Sequence, residues 1–340
     1  MSKIRAAVVG LGYWGPNLAR NVSQASADYE LVGLCDKDDK RLGRVGELYP
    51  QTKRYTDVDA LLREGKPDLV CIATPVGAHH PLAKAALEAG AHVLCEKPLA
   101  ATVAEATELV ELAHKKDRRL FVDHTFAYTG AVRAIRKAYV DRALGDLFYV
   151  DSVRINLGLF QPDVDVIWDL APHDLSILSY VIGRRVVSVK ATGSSHNPRG
   201  FADVAYLTVE YEGGLQAHLH LSWLSPVKVR RMIFSGTNSS LIYDDLEASE
   251  KLKIYDHGVT FDVADVEARK QVLVNYRRGD MRAPALDNRE ALTTELKDIA
   301  AALRGGPLPP AMGEDGLEVV RVLEAAGASL AKDGARITIS

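Results

Sequence analysis

The sequence has few cysteines, no long apolar run and no long run of basic residues. Its three cysteines among 340 residues are an odd number, which does not suit a disulfide framework and favours free thiols in a reducing cytoplasm. No stretch approaches the roughly 18 apolar residues that a membrane helix requires. The formal net charge is −3, so nucleic acid is not an expected partner. We expect a cytoplasmic protein that contacts neither membrane nor nucleic acid.

What is present is the composition of an ordinary globular protein. Apolar residues make up 47% of the chain and charged residues 26%. A chain of 340 residues is long enough for two domains with sizeable cores. The first predicted strand begins near Ile4, which leaves no room for a signal peptide. The thiols expected in the core, at or near strand ends, are Cys35, Cys71 and Cys95.

A glycine-rich turn follows the first predicted strand, 4–9, and precedes a predicted helix, 14–23. Its pattern is G-x-G-x-x-G, and in this strand–turn–helix setting the pattern seats a dinucleotide pyrophosphate on the helix N-terminus. The alternative is a glycine turn with no ligand. The residues expected around the pyrophosphate are Gly10, Gly12, Tyr13, Trp14 and Gly15.

An aspartate follows the second predicted strand, 30–35, at the position expected for a ribose ligand. Asp36 lies 24 residues after Gly12, close to the spacing of about 20 for the acid that bonds the ribose 2′-hydroxyl. Its alternative role is to cap the next helix. A carboxylate repels a 2′-phosphate and therefore favours NAD. Lys37 or Arg41 could neutralise such a phosphate, so NADP is possible, and Arg41 could instead stack on the adenine.

The order of predicted elements divides the chain into two domains. Residues 1–125 alternate between strands and helices, with six strands, several of them continuously apolar, which predicts an α/β Rossmann domain with a parallel, doubly wound sheet. Residues 126–340 contain mainly strands with period-2 patterns and short turns, which predict an α+β domain with a largely antiparallel open sheet for substrate binding and oligomerisation. Two C-terminal helices, 288–303 and about 314–332, are expected to pack back toward the Rossmann domain.

A lysine follows a later strand of the predicted Rossmann sheet, 92–95, in the sequence Glu96-Lys97-Pro98. Ligands of an open parallel sheet bind beyond the carboxyl ends of its strands. Lys97 should therefore lie over the crevice that holds the nicotinamide. An ammonium there can stabilise the alkoxide that develops when a hydroxyl is oxidised.

A second group of ionisable residues lies on a predicted helix, 166–182. Asp169 and His173 are four residues apart and share a helix face, so the carboxylate can orient the imidazole as a general acid or base. The alternatives are a helix cap or a satisfied polar pair, and Pro172 either kinks the helix or marks a first turn. A zinc site built from histidines and aspartates, such as His79, His80 and Asp174, has no supporting ligand spacing, so no metal is expected.

These motifs together resemble the glucose–fructose oxidoreductase, inositol dehydrogenase and rhizopine catabolism (Gfo/Idh/MocA) family over the whole chain. The resemblance implies that Lys97 positions the substrate hydroxyl near nicotinamide C4 and assists proton transfer. It implies that His173 is the main acid–base residue and that Asp169 holds substrate or histidine. The residues that it implies along the cofactor are Thr74, Pro75, His79 and Glu96.

Two stretches, 154–160 and 166–174, resemble the branch of the family that acts on nucleotide-linked sugars. Members of that branch oxidise the 3-hydroxyl of a UDP-linked N-acetylhexosamine or its uronate, or reduce a 3-keto group on a dTDP-deoxysugar. The substrate residues expected are His124, Tyr128, Asn156, Asp169 and His173, and His124 could instead bond backbone at a strand end. Three arginines could face a diphosphate or lie on the surface: Arg154, Arg230 and Arg231.

Alternatives of different classes remain at this stage. One is a dehydrogenase of inositol, a free sugar or a sugar phosphate, or a reductase of a C=N or C=C bond; another is a non-catalytic NAD-binding sensor. Family members pair through the second-domain sheet, so a homodimer or homotetramer is expected. The uncovered apolar face of this second-domain sheet is expected along residues 217–221.

Overall fold

A computed structural model of the chain describes residues 2–158, 164–262, 273–277 and 279–339. The chain forms two compact units. Unit 1 comprises Met1–Thr129 and Arg289–Glu324, and unit 2 comprises Gly130–Asn288 and Ala325–Ser340. The division therefore falls after residue 129, and residues 289–324 belong with the N-terminal unit.

Unit 1 contains a six-stranded parallel sheet in the strand order 3-2-1-4-5-6. Its strands are β1 (Ile4–Val9), β2 (Tyr29–Cys35), β3 (Lys53–Tyr55), β4 (Leu69–Ile72), β5 (His92–Glu96) and β6 (Leu120–Asp123). Its first helices are α1 (Gly15–Gln24), α2 (Asp39–Gly46), α3 (Val58–Ala60), α4 (His79–Glu88) and α5 (Val103–Lys115). This is the doubly wound order that places a dinucleotide beyond the carboxyl ends of the strands, so the predicted Rossmann fold is confirmed.

Short polar side chains cap two helices of unit 1, α2 and α5. The side chain of Asp38 accepts hydrogen bonds from the backbone of Lys40 and Arg41 at the start of α2. Thr102 accepts from the backbone N–H of Glu105 at the start of α5. Such caps satisfy N–H groups that have no partner within the helix.

Unit 2 is built on a mixed, mostly antiparallel sheet, which confirms the predicted α+β class. Its helices are α6 (Gly130–Val140) and α7 (Val166–Ile182). The strands are β7 (Leu147–Leu157), β8 (Val186–Ser194), β9 (Val204–Tyr211), β10 (Gln216–Ser222), β11 (Leu224–Gly236), β12 (Ser240–Asp244), β13 (Leu252–Tyr255), β14 (Gly258–Asp262), β15 (Leu273–Arg277), β16 (Met281–Arg282) and β17 (Ile337–Thr338). Nine of these form one sheet, in the order 16-13-12-11-7-10-9-8-17, and within it β7 and β10 pair in parallel. Strands β14 and β15 form a separate hairpin.

Two helices lie between β16 and β17 in the chain, α8 (Ala291–Leu303) and α9 (Gly313–Leu330). Helix α8 belongs to unit 1, where Leu292, Leu296 and Ile299 lie in the same core as residues of β1 and α1. The hydroxyl of Tyr29 donates to the carbonyl of Leu296 at 2.6 Å. Strand β2 and helix α8 are thus joined although they are far apart in the sequence.

The uncovered face of the unit 2 sheet differs from the expectation for residues 217–221. Ala217, Leu219 and Leu221 are buried within the unit, on the side where α7 packs against β10. The opposite side of β10 presents His218 and His220, and the ring of His220 stacks on Tyr206 of β9 with the ring centres 4.6 Å apart. The apolar side chains expected on the open face are therefore core residues, because the period-2 pattern turns them toward the helix.

Candidate active site

The glycine turn between β1 and α1 is shaped by close backbone contacts. Gly10 has φ +88°, and a Cβ there would lie 2.5 Å from the carbonyl oxygen of Ala73. A Cβ at Gly15 would lie 1.8 Å from the carbonyl oxygen of Gly10. A Cβ at Gly12, by contrast, would meet only Nη1 of Arg41, at 3.9 Å. Gly10 and Gly15 therefore allow the close backbone packing of the turn, whereas Gly12 leaves open space beside it.

The N-terminus of α1 can receive an anion. Trp14 occupies the cap position without a side-chain hydrogen bond to the first turn, and a proline occupies one of the first two helical positions. No acidic side chain lies in that first turn. The positive end of the helix dipole and the open space at Gly12 both fit a pyrophosphate. Tyr13 is 92% exposed beside it.

Asp36 follows β2 and faces the glycine turn. Its Oδ2 accepts the backbone N–H of Leu11 at 2.6 Å, and its Oδ1 accepts that of Asp38 at 2.8 Å. The alternative of a helix-capping Asp36 is wrong, because Asp38 caps α2. Each carboxylate oxygen of Asp36 retains a lone pair for a ribose hydroxyl. Arg41 lies over Gly12, and Lys37 is exposed.

The residues after β4 are fixed by a buried histidine. The two ring nitrogens of His79 lie 2.8 Å from the carbonyl oxygens of Thr74 and Pro98. His79 therefore links the segment after β4, including Pro75, to the segment after Lys97, and it does so from the interior, at 1% exposure. Burial lowers the pKa of His79, and the charge of Lys97 acts in the same direction. The hydroxyl of Thr74 is buried and has no hydrogen-bond partner among the described residues.

Lys97 lies at the carboxyl end of β5, as its place in the sequence predicts. Its backbone N–H donates to Oε2 of Glu96 at 2.8 Å, and its peptide bond to Pro98 is cis. Both Lys97 and Glu96 are partly exposed. Lys97 therefore stands at the same edge of the sheet as the glycine turn.

His124 and Tyr128 follow β6 and are both buried. His124 is 3% exposed, and neither of its ring nitrogens has a hydrogen-bond partner within the described ranges. Burial, and to a lesser extent the charge of Lys97, lowers the pKa of His124 to about 3, so its ring is neutral at physiological pH. Tyr128 is 1% exposed, and burial raises the pKa of its hydroxyl well above the usual value. Buried polar atoms without a partner, such as those of His124 and Thr74, are suited to hydrogen bonds with a bound ligand.

In unit 2, Asp169 and His173 lie on one partly exposed face of α7. The helix is continuous through Pro172, and Asp165 caps it by accepting the backbone N–H of Trp168 at 2.9 Å. The sequence therefore predicts this helix and its paired residues correctly, and Pro172 neither ends nor begins it.

A tryptophan that the sequence does not single out holds Asp169. The indole N–H of Trp223 donates to Oδ2 of Asp169 at 3.0 Å. A Cβ at Gly158 would lie 2.8 Å from the Trp223 ring and 3.2 Å from Nδ2 of Asn156. The structure thus brings Asn156 and Asp169 together around Trp223. Two residues of the branch motif, Leu159 and Phe160, lie outside the described residues.

The three arginines considered for a diphosphate are all engaged by carboxylates. Arg154 is 4% exposed and forms an ion pair with buried Asp174 at 2.6 Å. Arg230 pairs with Asp245 at 3.4 Å, and Arg231 pairs with Asp244 at 2.9 Å. Arg154 is therefore a core residue rather than a surface ligand.

The predicted unpaired thiols are confirmed, since Cys35, Cys71 and Cys95 are free and buried. Burial raises the pKa of Cys35 to about 12, so this thiol is not a nucleophile at neutral pH. In the part of the chain that the structure describes, no three His, Cys, Asp or Glu side chains are arranged to hold a metal ion. None of the helices in these ranges could cross a membrane.

Two sequence profiles of one family match the chain. The profile described as an oxidoreductase family with an NAD-binding Rossmann fold, GFO_IDH_MocA, matches residues 4–124. The profile of the GFO/IDH/MocA C-terminal domain matches residues 132–242. Together they cover about two thirds of the chain.

Known proteins of similar sequence act on different sugars. A UDP-N-acetylglucosamine 3-dehydrogenase of Acidithiobacillus ferrooxidans is 29% identical over 89% of this chain and 90% of its own. A D-apiose dehydrogenase of Paraburkholderia graminis is 26% identical over 96% of this chain and 87% of its own. A solved structure of the UDP-N-acetylglucosamine 3-dehydrogenase from A. ferrooxidans superposes with a TM-score of 0.81 at 26% identity, covering 98% of this chain and 99% of that one.

The Rossmann sheet, the glycine turn and the profile match define an NAD-binding oxidoreductase. The chain belongs to the Gfo/Idh/MocA family. The predicted family, enzyme class and cofactor type are thereby confirmed.

Proposed function

We propose that this protein transfers a hydride between NAD and C3 of a nucleotide-linked sugar, such as a UDP-N-acetylhexosamine or its uronate, or a 3-keto deoxysugar nucleotide. The observation that carries the hydride transfer is the position of Lys97. Its ammonium group follows β5 at the sheet edge that holds the glycine turn, where a parallel sheet binds its ligand. When bound, NAD supplies the carbon that accepts or donates the hydride.

Lys97 acts on the reacting oxygen in this proposal. An ammonium near a hydroxyl oxygen stabilises the negative charge that grows as the proton leaves and the hydride departs. The 2.8 Å bond from its backbone to Glu96 and the link through His79 fix the segment that carries Lys97. Such fixation keeps the ammonium aligned with the substrate and reduces the entropy lost on reaching the transition state.

His173 moves the proton in the same proposal. An imidazole accepts a proton readily near neutral pH, and an adjacent carboxylate favours the charged form that results. Asp169 lies one turn earlier on the same face of α7 and is held by Trp223. We assign Asp169 to orient His173 or the substrate hydroxyl, and Asn156 and His124 to hydrogen-bond the sugar.

The substrate class rests on the UDP-N-acetylglucosamine 3-dehydrogenase relative, which matches nearly the whole chain in sequence and fold. We assign none of the three arginines to the diphosphate, because each already pairs with a carboxylate: Arg154, Arg230 and Arg231. A free-sugar dehydrogenase is the second candidate, because the D-apiose dehydrogenase matches an even larger share of the chain.

Thermal-shift measurements on NAD-loaded protein separate these candidates. A ligand at 100 times its dissociation constant stabilises a protein by about 2.7 kcal/mol, which is a measurable shift. We expect stabilisation by UDP- or dTDP-linked sugars that exceeds the shift from UDP, dTDP or the free sugar alone. Stabilisation by apiose, inositols or sugar phosphates, with none by any nucleotide sugar, would instead support the second candidate. Turnover of any sugar with NAD would exclude a non-catalytic sensor.

We also propose that the protein assembles as a dimer or tetramer of identical chains. The open side of the unit 2 sheet carries the stacked rings of Tyr206 and His220, and Tyr149 of β7 is 42% exposed on it. Aromatic side chains on an uncovered sheet are typical of interfaces. Light scattering tests this, and a purely monomeric species at micromolar concentration would contradict it.

A further inference from the structure

Three acidic side chains, two of them buried, meet at the carboxyl end of the unit 1 sheet. Asp123 ends β6 and is in register with Glu96, which ends the neighbouring β5. Glu295 reaches the same point from α8 and is completely buried. Asp123 is 1% exposed and accepts the indole N–H of Trp14 at 2.6 Å through Oδ2. Trp14 is the cap residue of α1, so this group of acids is connected to the pyrophosphate-binding turn through Trp14.

Protons must be shared within this group. The carboxyl group of Asp123 lies beside those of Glu96 and Glu295. Oδ1 of Asp123 and both carboxyl oxygens of Glu295 are buried and have no hydrogen-bond partner in the described ranges. Two ionised carboxylates beside each other repel and have no proton to share, whereas a proton on one of them supplies the missing hydrogen bond.

The environment decides which acid is ionised. Burial raises the pKa of Glu295 well above its usual value, and the charge of Asp123 raises it further. Burial and the charge of Asp123 also raise the pKa of Glu96. Burial raises the pKa of Asp123 as well, but the hydrogen bond from the indole of Trp14 favours its ionised form.

We propose that Glu96 and Glu295 are protonated at neutral pH, that both donate hydrogen bonds to the Asp123 carboxylate, and that this carboxyl triad positions Trp14 and with it the NAD-binding turn. The triad consists of Glu96, Asp123 and Glu295. Its members are positioning residues, since Trp14 and not the triad is next to the turn. The role rests on the NAD site described above and is independent of the sugar.

Other ionisable groups facing the triad come from each neighbouring element. Lys97 follows Glu96 and favours its ionised form, whereas Asp298 on α8 opposes ionisation of Glu295. The remaining groups are Tyr128 after β6, Cys71 on β4 and Cys95 on β5, whose pKa values are raised by burial, so they are neutral at physiological pH. Lys97 and Asp298 are therefore the neighbouring charges that a pH titration of the triad must include.

The proposal predicts a specific pH dependence of stability. An acid whose pKa is raised on folding keeps a proton that the unfolded chain releases. Its contribution to stability is therefore complete below the ordinary glutamic acid pKa of 4.5 and is lost as the pH rises from there toward the raised value. A glutamine at 295 donates the same hydrogen bond through its amide but cannot ionise.

Chemical denaturation of the cofactor-free protein at a series of pH values tests this directly. We compare the folding equilibrium constant of Glu295→Gln with that of the wild type at each pH. This ratio should grow by up to about tenfold for each pH unit above the ordinary glutamic acid pKa. Glu96→Gln should show the same trend, and it provides the test if Glu295→Gln does not fold. Glu111→Gln, which changes an exposed glutamate on α5, is the control and should show no such gain. The proposal would be overturned if the stability of both triad variants differed from that of the wild type by the same amount at every pH.

Binding of NADH in the absence of sugar tests the link to the turn. Trp14→Phe keeps an aromatic side chain but removes the indole N–H. We expect its dissociation constant for NADH to rise about tenfold, the effect of losing a hydrogen bond to a charged group. Glu295→Gln should bind NADH within about threefold of the wild type, since its hydrogen bond is retained. Unchanged affinity in Trp14→Phe would overturn the positioning role. Because no sugar is present, this outcome is separate from any failure of the proposed substrate.

Discussion

The indole N–H of Trp223 donates a hydrogen bond of 3.0 Å to Oδ2 of Asp169. Trp223 is 1% exposed, and its ring faces Gly158 so closely that a Cβ there would lie 2.8 Å away. The ring is therefore fixed by packing, and it fixes the carboxylate in turn. Asp169 is thus oriented by a residue that is distant in the sequence.

Trp223→Phe should keep an aromatic side chain in the core and remove the hydrogen bond to Asp169. We expect kcat to fall about tenfold, since a lost hydrogen bond to a charged group is worth about 1.5 kcal/mol or more. The affinity for NADH, measured by fluorescence titration, should change little because Trp223 is in unit 2. An unchanged kcat would show that Asp169 does not need this bond.

Lys97→Ala should lower kcat by a factor on the order of 10² or more, because it removes the charge that stabilises the developing alkoxide. NADH affinity should be nearly unchanged. Lys84→Ala is a matched control, since Lys84 lies on α4 and pairs with the exposed Glu108. Turnover of the Lys97 variant at the rate of the control would remove Lys97 from the proposed mechanism.

The glycines of the turn should differ in their response to alanine. Gly12 is not among the residues with positive φ, and a Cβ there has open space, so Gly12→Ala should fold with nearly wild-type stability. Its affinity for NADH should fall at least about tenfold because the methyl group occupies space needed by the pyrophosphate. Gly15→Ala should instead destabilise the fold, because its Cβ would overlap the carbonyl of Gly10. Wild-type NADH binding by Gly12→Ala would contradict this view of the turn.

Asp36 should make the enzyme prefer NAD. Its carboxylate would bond the ribose 2′-hydroxyl and repel a 2′-phosphate. We expect a higher kcat/KM with NAD than with NADP, and a shift toward NADP in Asp36→Ser, where Arg41 beside Gly12 can receive the phosphate. A wild-type preference for NADP would mean that Arg41 and Lys37 outweigh the carboxylate.

Much of unit 1 could be predicted because its strands are continuous apolar runs between turn residues, as in any buried parallel sheet. Helix α7 could be predicted as well, since Asp165 caps its start and Gly183, with φ +61°, follows its end. Helix α6 was not predicted. The parallel pairing of β7 with β10 also could not be foreseen, because a period-2 pattern reveals which face is buried but not which strand is the neighbour.

The site residues that the sequence predicts belong to local motifs, whereas the residues that contact them could not be predicted. Lys97 and the glycine turn are parts of motifs with known positions in a Rossmann fold. Glu295 and Trp223 act through contacts with residues far away in the sequence, and acids are ordinarily exposed. A lone glutamate in an amphipathic helix such as α8 therefore carries no local signal of burial.

The most direct test of the central claim uses UDP-N-acetylglucosamine, and its uronate, labelled with deuterium at C3. Each is incubated with the enzyme and NAD, and the reduced cofactor is analysed by absorbance and mass spectrometry. We predict that at least one of them reduces NAD and that the deuterium appears on the nicotinamide ring. Reduction of NAD only by sugars without a nucleotide, or NADH that carries no deuterium, would contradict the proposed reaction at C3 of a nucleotide-linked sugar.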